Sequence, residues 1–361
     1  DLSLSLVGSE MCIRDRLGTA LQRTGQGTLA LWPLHKAAAS EAYAVPAGLA
    51  LATTLLSQNQ HEEAFEAANG VLQIEPEDER ALAIRAQAAL SIGEPEQALA
   101  DAERLVEISP ERYLELRGAA LAELGRMDEA EQSYLEFASA AEQLNLLSAW
   151  QACFAVASFY AEKREDAERA DEQIQRCLEP NPANLAAVRL AIRLYDRLER
   201  PEQAMATLRR AVAAEPGELR LRQSLADRLL AEDKDDEAEA QLREAAEALE
   251  TPQAWNALAN LQRRASKPEL AQAALERALE LAPGNPDELR FVLADLLAEQ
   301  GELEEAERLV GELTEPAYRA IARGRILLER GESAEALAAW GSGIQRWPDS
   351  AGARLLAAEA A

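Results

Sequence analysis

Adjacent carboxylates are the best candidates for catalytic residues in this sequence, because paired acids can act as general acid and base. Several such pairs occur, among them Asp235 with Asp236 and Glu304 with Glu305. Each of these two pairs lies at the predicted start of a helix, where unpaired backbone N–H groups and the helix dipole favour carboxylates. We therefore interpret both pairs as helix-terminal residues and not as catalytic acids.

Cysteine and histidine offer no pattern for metal binding or nucleophilic catalysis. The three cysteines, Cys12, Cys153 and Cys177, are far apart and in no metal-ligand spacing, and the only histidines are His35 and His61. The odd number argues against a disulfide framework, and we expect Cys177 to be a buried, inert thiol and Cys153 to be partly exposed. The sequence also lacks a Gly-rich phosphate loop, an HExxH motif, a CxxC pair and a GxSxG elbow. It therefore predicts no enzyme activity, no metal site and no cofactor.

Composition favours helices over strands. Of the 361 residues only 4% are aromatic, and Ala and Leu supply most of the apolar content. These residues, with Glu, Arg and Gln at polar positions, have high helix propensity. The 64 acidic and 37 basic residues give a net charge of −27, which argues against broad binding to nucleic acid or to an anionic membrane. It leaves room for a local basic patch.

Prolines mark an internal repeat. Pro76 and Pro110 are 34 residues apart, as are Pro182 and Pro216, and each ends a similar phrase: LQIEP, VEISP, LEPNP and AAEP. Small residues recur in register between them, because two antiparallel helices need small side chains where their backbones cross. They are Ala86, Gly93 and Ala98; Gly118, Gly125 and Ala130; Ala294, Gly301 and Ala306; and Gly324, Gly331 and Ala336. Larger residues, among them Tyr134 and Trp340, are expected to fill the spaces between, and Trp347 is expected to fill the core as well.

The phrases GRMDEAEQSYLEF and GELEEAERLV resemble tetratricopeptide repeats, which have 34 residues and two helices. The resemblance implies an all-α fold, a right-handed superhelical solenoid of antiparallel helical hairpins. We expect one solenoid over residues 17–361, with about nine to ten hairpins. The predicted units are 11–44, 45–78, 79–112, 111–150, 151–184, 185–218, 219–251, 252–285, 287–316 and 317–350.

Local departures from the repeat carry their own expectations. The 111–150 unit has extra residues around NLLSAW, which predicts a longer second helix or a kink, and Pro33 is expected to interrupt the second helix of the first unit. Residues 1–16 resemble a translated sequencing adapter in the stretch VGSEMCIRDR, so we expect a non-native or disordered leader. The array is expected to be truncated at both ends, and the compartment, cytoplasmic or periplasmic, stays open.

In tetratricopeptide proteins the first helix of each hairpin lines a concave groove, so the resemblance also implies where a partner would bind. The early units place mostly apolar residues there: Leu49, Leu56, Leu90 and Phe159. The central units place cations and amides there: Arg189, Arg193, Arg220, Gln223, Asn256, Asn260 and Arg263. A basic groove in an acidic chain predicts an acidic partner segment. The alternative is that these arginines pair with Asp196, Asp227 and nearby glutamates and only solvate the inner face.

Two functions of different class follow from the resemblance. In the first, the chain is a protein-protein interaction scaffold that binds a partner peptide or helix in its groove. In the second, it is the recognition arm of a larger enzyme, for example a glycosyl- or sulfotransferase, whose catalytic domain lies outside this sequence. The carboxylate clamp of chaperone-binding family members is not reproduced, because Asn256 and Asn260 match part of it without the lysines it needs.

Overall fold

The computed structural model describes residue 14, residues 16–144 and residues 149–347. All regular structure in this part is helical, which confirms the all-α prediction, while most of the expected leader and the residues after Trp347 lie outside the described residues. The helices are α1 (16–23), α2 (Gly27–Ala38), α3 (Ala44–Ser57), α4 (His61–Ile74), α5 (Glu79–Ile92), α6 (Pro95–Ile108), α7 (Pro110–Glu123), α8 (Met127–Gln143), α9 (Ala149–Glu162), α10 (Ala167–Leu178), α11 (Leu185–Arg197), α12 (Pro201–Ala214), α13 (Leu219–Ala231), α14 (Asp235–Leu249), α15 (Pro252–Arg264), α16 (Pro268–Leu281), α17 (Asp287–Glu299), α18 (Leu303–Glu312), α19 (Pro316–Glu329) and α20 (Ser333–Arg346).

Contacts divide the chain into two compact units. The first unit comprises Asp1–Pro180 and Arg189–Arg200, and the second comprises Asn181–Val188 and Pro201–Ala361, so that α11 contributes to both. In the first unit α3 packs on α4, α5 on α6, α7 on α8 and α9 on α10, and in the second α13 packs on α14, α15 on α16, α17 on α18 and α19 on α20. Short turns join the helices of each pair, so each unit is a stack of antiparallel hairpins.

Small residues lie where the paired helices cross, as the sequence predicts. Ala86, Ala98 and Ala130 are fully buried. A Cβ built on Gly118 in α7 would lie 3.0 Å from the ring of Tyr134 in α8, so glycine is what allows this ring to fill the crossing. The repeat pattern thus encodes close packing between helices.

Two expectations about helix shape have different outcomes. The longer second helix of the 111–150 unit is confirmed, since α8 runs for 17 residues. The predicted interruption at Pro33 is wrong, because Pro33 lies inside the continuous helix α2. Proline removes one N–H donor, whose acceptor would be the carbonyl of Leu29, and Leu29 lies on the exposed side of the helix where water can replace it.

The cysteines correct a second expectation. Cys153 in α9 and Cys177 in α10 form a disulfide across a hairpin, with their Cα atoms 5.6 Å apart. The prediction that they stay unpaired is wrong. The two cysteines are 24 residues apart in the sequence, but they occupy facing positions on two packed helices, which brings them close enough to form a disulfide. Cys12 lies outside the described residues.

Buried ion pairs tie neighbouring helices together within each unit. In the first unit Asp101 of α6 is only 1% exposed and accepts hydrogen bonds from Arg85 Nε and Nη2 of α5, both at 2.8 Å. Arg85 Nη1 also donates to Asn69 Oδ1 of α4 at 2.7 Å. Such bidentate contacts fix the register of three successive helices.

Candidate partner-binding faces

Two predicted groove arginines, Arg189 and Arg193, lie on α11 in the first unit. They are four positions apart, so their side chains project from the same face of the helix, and both are exposed. Within the part of the chain that the structure describes, neither guanidinium group forms an ion pair. This face therefore presents two cations that no carboxylate among the described residues neutralises.

A second set of predicted groove residues lies in the second unit, on α13 and α15, which are in contact. Arg220 is exposed, and its side chain has no ion pair among the described residues. Gln223 is half-buried on the same helix, and Asn256 and Asn260 lie on α15. The Oδ1 atom of Asn256 is buried without a hydrogen-bond partner in the described part. Among the described residues, this face thus combines a cation without an ion pair, Arg220, with the exposed amide of Asn260.

Arg263 belongs to a different arrangement. Its Nη2 atom lies 3.1 Å from Asp295 Oδ2 of α17, and Arg325 Nε of α19 approaches Asp295 Oδ1 at 3.2 Å. Both arginines also contact the Glu299 carboxylate at 3.4 Å. The alternative interpretation, in which groove arginines pair with acidic residues, therefore applies to Arg263. Its charge is balanced within the unit, and these ion pairs connect the first helices α15, α17 and α19.

The apolar residues predicted to line the groove differ in how exposed they are. Leu49 is 7% exposed in a core cluster with Val71 and Leu82, and Phe159 is 2% exposed with its ring 5.0 Å from that of Tyr134. Leu56 and Leu90 are half-buried. Leu49 and Phe159 therefore contribute to packing and offer a partner little surface.

A cleft of about 1030 Å³ opens in the second unit beside the ends of α15 and α17. Its walls include Asn260, Arg263, Arg264, Leu296, Glu299 and Gln300. Arg264 pairs with Asp227, and both polar side-chain atoms of Gln300 are buried without a partner in the described part. The sequence did not predict this cleft, because residues from two successive hairpins form it.

One further surface was misjudged from the sequence. Trp347 was expected to fill the core like Trp340, yet it is 41% exposed and packs against Tyr318. Trp340 is fully buried. Both tryptophans belong to the last described hairpin, so the pattern could not separate them. The sequence feature that could have indicated this surface is Tyr318, an aromatic residue in the first helix of that hairpin, against which Trp347 packs.

No described helix is both long and apolar enough to cross a membrane. No group of three or more His, Cys, Asp or Glu residues suited to hold a metal ion occurs in the described part.

The fold defines a class of protein: a stack of helical hairpins, the architecture of helical-repeat proteins. Family models described as tetratricopeptide repeat match residues 49–113, 85–145 and 263–323. The chain therefore carries tetratricopeptide repeats, which supports a role as a protein–protein interaction scaffold, and proteins with these repeats are generally non-catalytic scaffolds. No curated protein sequence matches it.

Solved structures of the same kind resemble the chain at low identity. The yeast protein Tom70 is 15% identical, with 98% of this chain and 96% of that chain covered and a TM-score of 0.40. YrrB, described as a TPR protein with an unusual peptide-binding site, is 22% identical over 53% of this chain and 98% of its own, with a TM-score of 0.35. PilF of Pseudomonas aeruginosa is 20% identical over 58% and 97%, with a TM-score of 0.36.

Proposed function

We propose that this scaffold binds an acidic segment of a partner protein on the first-helix faces that carry unpaired arginines. The observation that supports the proposal is the division among the predicted groove cations. Arg263 has carboxylate partners, whereas Arg189, Arg193 and Arg220 have none among the described residues. A cation left without a partner in a chain of net charge −27 is available to an incoming carboxylate.

The chemistry of the two faces favours acidic peptide over other ligands. Guanidinium groups form paired hydrogen bonds with carboxylates, and amide side chains can hydrogen-bond the main chain of an extended segment. In the second unit the exposed Asn260 side chain could accept a backbone N–H, since it has no hydrogen-bond partner in the described part. The overall negative charge opposes nucleic acid, whose phosphates form a much denser field.

Each face has its own charge-reversal test. One variant carries Arg189→Glu and Arg193→Glu, and a second carries Arg220→Glu. The control variant carries Lys36→Glu and Arg323→Glu, which reverse exposed cations that have no ion pair in the described part and lie outside the predicted groove positions. Binding is measured by fluorescence anisotropy with a labelled Glu-rich peptide at constant salt, and by recovery of partners from a lysate.

The first variant, the second, or both should weaken peptide binding at least about tenfold, since a hydrogen bond to a charged group is worth more than 1 kcal/mol. The control variant should bind like the wild type, and all variants should have unchanged far-UV circular dichroism. Equal losses in the control would mean that only the average charge matters. Unchanged binding and the same recovered partners in both test variants would reject the proposal and direct the search to the surface around Leu56 and Leu90.

A further inference from the structure

Three aromatic side chains form a continuous row at the end of the second unit. The rings of Phe291 in α17 and Tyr318 in α19 are stacked, with centroids 5.0 Å apart and planes 20° apart. The indole of Trp347, which follows α20, meets Tyr318 edge to face at 5.6 Å. Phe291 packs on the core residues Ile321 and Trp340, while Trp347 is 41% exposed. The row, called here the aromatic row, is thus anchored at one end and open at the other.

Carboxylates surround the aromatic row. Burial raises the pKa of Tyr318, and the negative charges of Glu288, Glu315 and Asp287 raise it further. The Asp287 carboxylate already has hydrogen-bond partners, since it accepts from the backbone N–H of Thr314 and of Glu315 at 2.9 and 2.7 Å. Glu288, one turn before Phe291, is exposed and has no ion pair in the described part. Its carboxylate is therefore free to meet an external group.

The combination of an exposed aromatic ring with a free carboxylate favours a positively charged ligand. The faces of Trp and Tyr attract cations, and a neighbouring carboxylate strengthens that attraction. An acidic segment would be repelled, and a purely apolar one would leave Glu288 facing it without a partner. The other exposed large apolar residue described in the second unit, Leu270 of α16, is 45% exposed but is aliphatic and offers no ring face to a cation.

We propose that the aromatic row and Glu288 form a recognition site for an arginine side chain on a partner protein segment. A guanidinium group is planar, so it can lie on the exposed indole of Trp347 while donating hydrogen bonds to the Glu288 carboxylate. An ammonium group would gain the charge attraction without the stacking. The site is chemically opposite to the arginine faces described above and does not depend on them.

The test uses the full chain and a labelled peptide with alternating Gly and Arg, compared with the same peptide in which citrulline, a neutral isostere, replaces each Arg. The test variants are Trp347→Ala and Glu288→Gln. The matched controls are Leu270→Ala, which removes another exposed apolar side chain, and Glu66→Gln, which removes another exposed carboxylate. Anisotropy is followed at physiological salt, where attraction to the average charge is largely screened.

Each test variant should weaken binding of the Arg peptide about fivefold, as expected for a cation–π contact of roughly 1 kcal/mol. The controls should bind like the wild type, and the citrulline peptide should not bind. Equal weakening by Glu66→Gln and Glu288→Gln, or no effect of Trp347→Ala, would overturn the proposal, because binding would then follow net charge. Equal binding of the citrulline peptide would overturn it as well. The variants with reversed arginines should keep this binding, so the two proposals fail separately.

Discussion

The indole of Trp340 lies directly against Gly324, the residue of α19 that faces it. A Cβ on Gly324 would lie 2.4 Å from Trp340 Nε1 and 2.6 Å from its Cδ1. The indole is fully buried, and Nε1 donates a hydrogen bond to the carbonyl oxygen of Ile321 at 3.0 Å. Because the ring is held by this bond and by the core around it, it cannot move away without losing contacts.

Gly324→Ala should therefore destabilise the last described hairpin. We expect the free energy of unfolding to fall by about 1–3 kcal/mol, as for an overpacked core. Gly311→Ala is the matched control, since a Cβ on this helical glycine would meet no atom within 4 Å, and the substitution should leave stability unchanged or raise it. Urea unfolding followed by circular dichroism measures both. Equal stability of wild type and Gly324→Ala would contradict the close approach.

The disulfide between Cys153 and Cys177 should stabilise the hairpin of α9 and α10. Closing a loop of 24 residues limits the unfolded chain, so replacing both cysteines with alanine should lower stability by about 3 kcal/mol. Dithiothreitol should destabilise the wild type similarly and leave the double variant unaffected. Thiol titration of the unreduced, denatured protein should find a single free thiol, that of Cys12. Finding three would show that the pair is not oxidised.

The disulfide also shows where inference from sequence ends. Recurrent prolines and small residues such as Gly118 predict the hairpins and their crossings, because these features depend on neighbours within one repeat. Pairing of Cys153 with Cys177 depends on the rotation of two helices about their axes, which spacing alone does not give. The difference between buried Trp340 and exposed Trp347 likewise depends on which surfaces the next elements cover. Local sequence patterns therefore predict the repeat, whereas the exposure and pairing of individual side chains depend on how the helices are rotated and packed against one another.

Glu239 should make the stability of the second unit depend on pH. Burial alone would raise its pKa, but hydrogen bonds from Lys267 and Gln262, at 2.8 and 2.9 Å, outweigh burial and hold the pKa below the ordinary 4.5. A lowered carboxyl pKa means that the folded state favours the ionised form. The resulting stability is present above about pH 4.5 and is lost as the pH falls through the lower folded value.

Glu239→Gln should therefore lower the melting temperature at neutral pH and flatten its decline in acid. Thermal unfolding at a series of pH values tests this, with Glu66→Gln as the control at an exposed position. A decline in acid as steep in Glu239→Gln as in the wild type would show that other carboxylates dominate.

Substitutions of Arg263 and Arg220 should show which arginine contributes to stability and which contributes to peptide binding. Arg263→Met should lower stability by only about 1 kcal/mol, because Arg325 still faces Asp295 at 3.2 Å. Replacing both Arg263 and Arg325 with Met should lower it by more than the sum of the single changes, since Asp295, 15% exposed, then has no cation.

Arg220→Met should leave stability unchanged, because no ion pair of this side chain exists among the described residues. The binding assay should give the reverse order: Arg220→Met weakens binding of the Glu-rich peptide, and Arg263→Met does not. Chemical unfolding and anisotropy on the same protein samples measure both properties. If Arg263→Met weakened peptide binding as much as Arg220→Met did, a partner carboxylate would have to displace Asp295, and the distinction between paired and free cations would not predict the binding site.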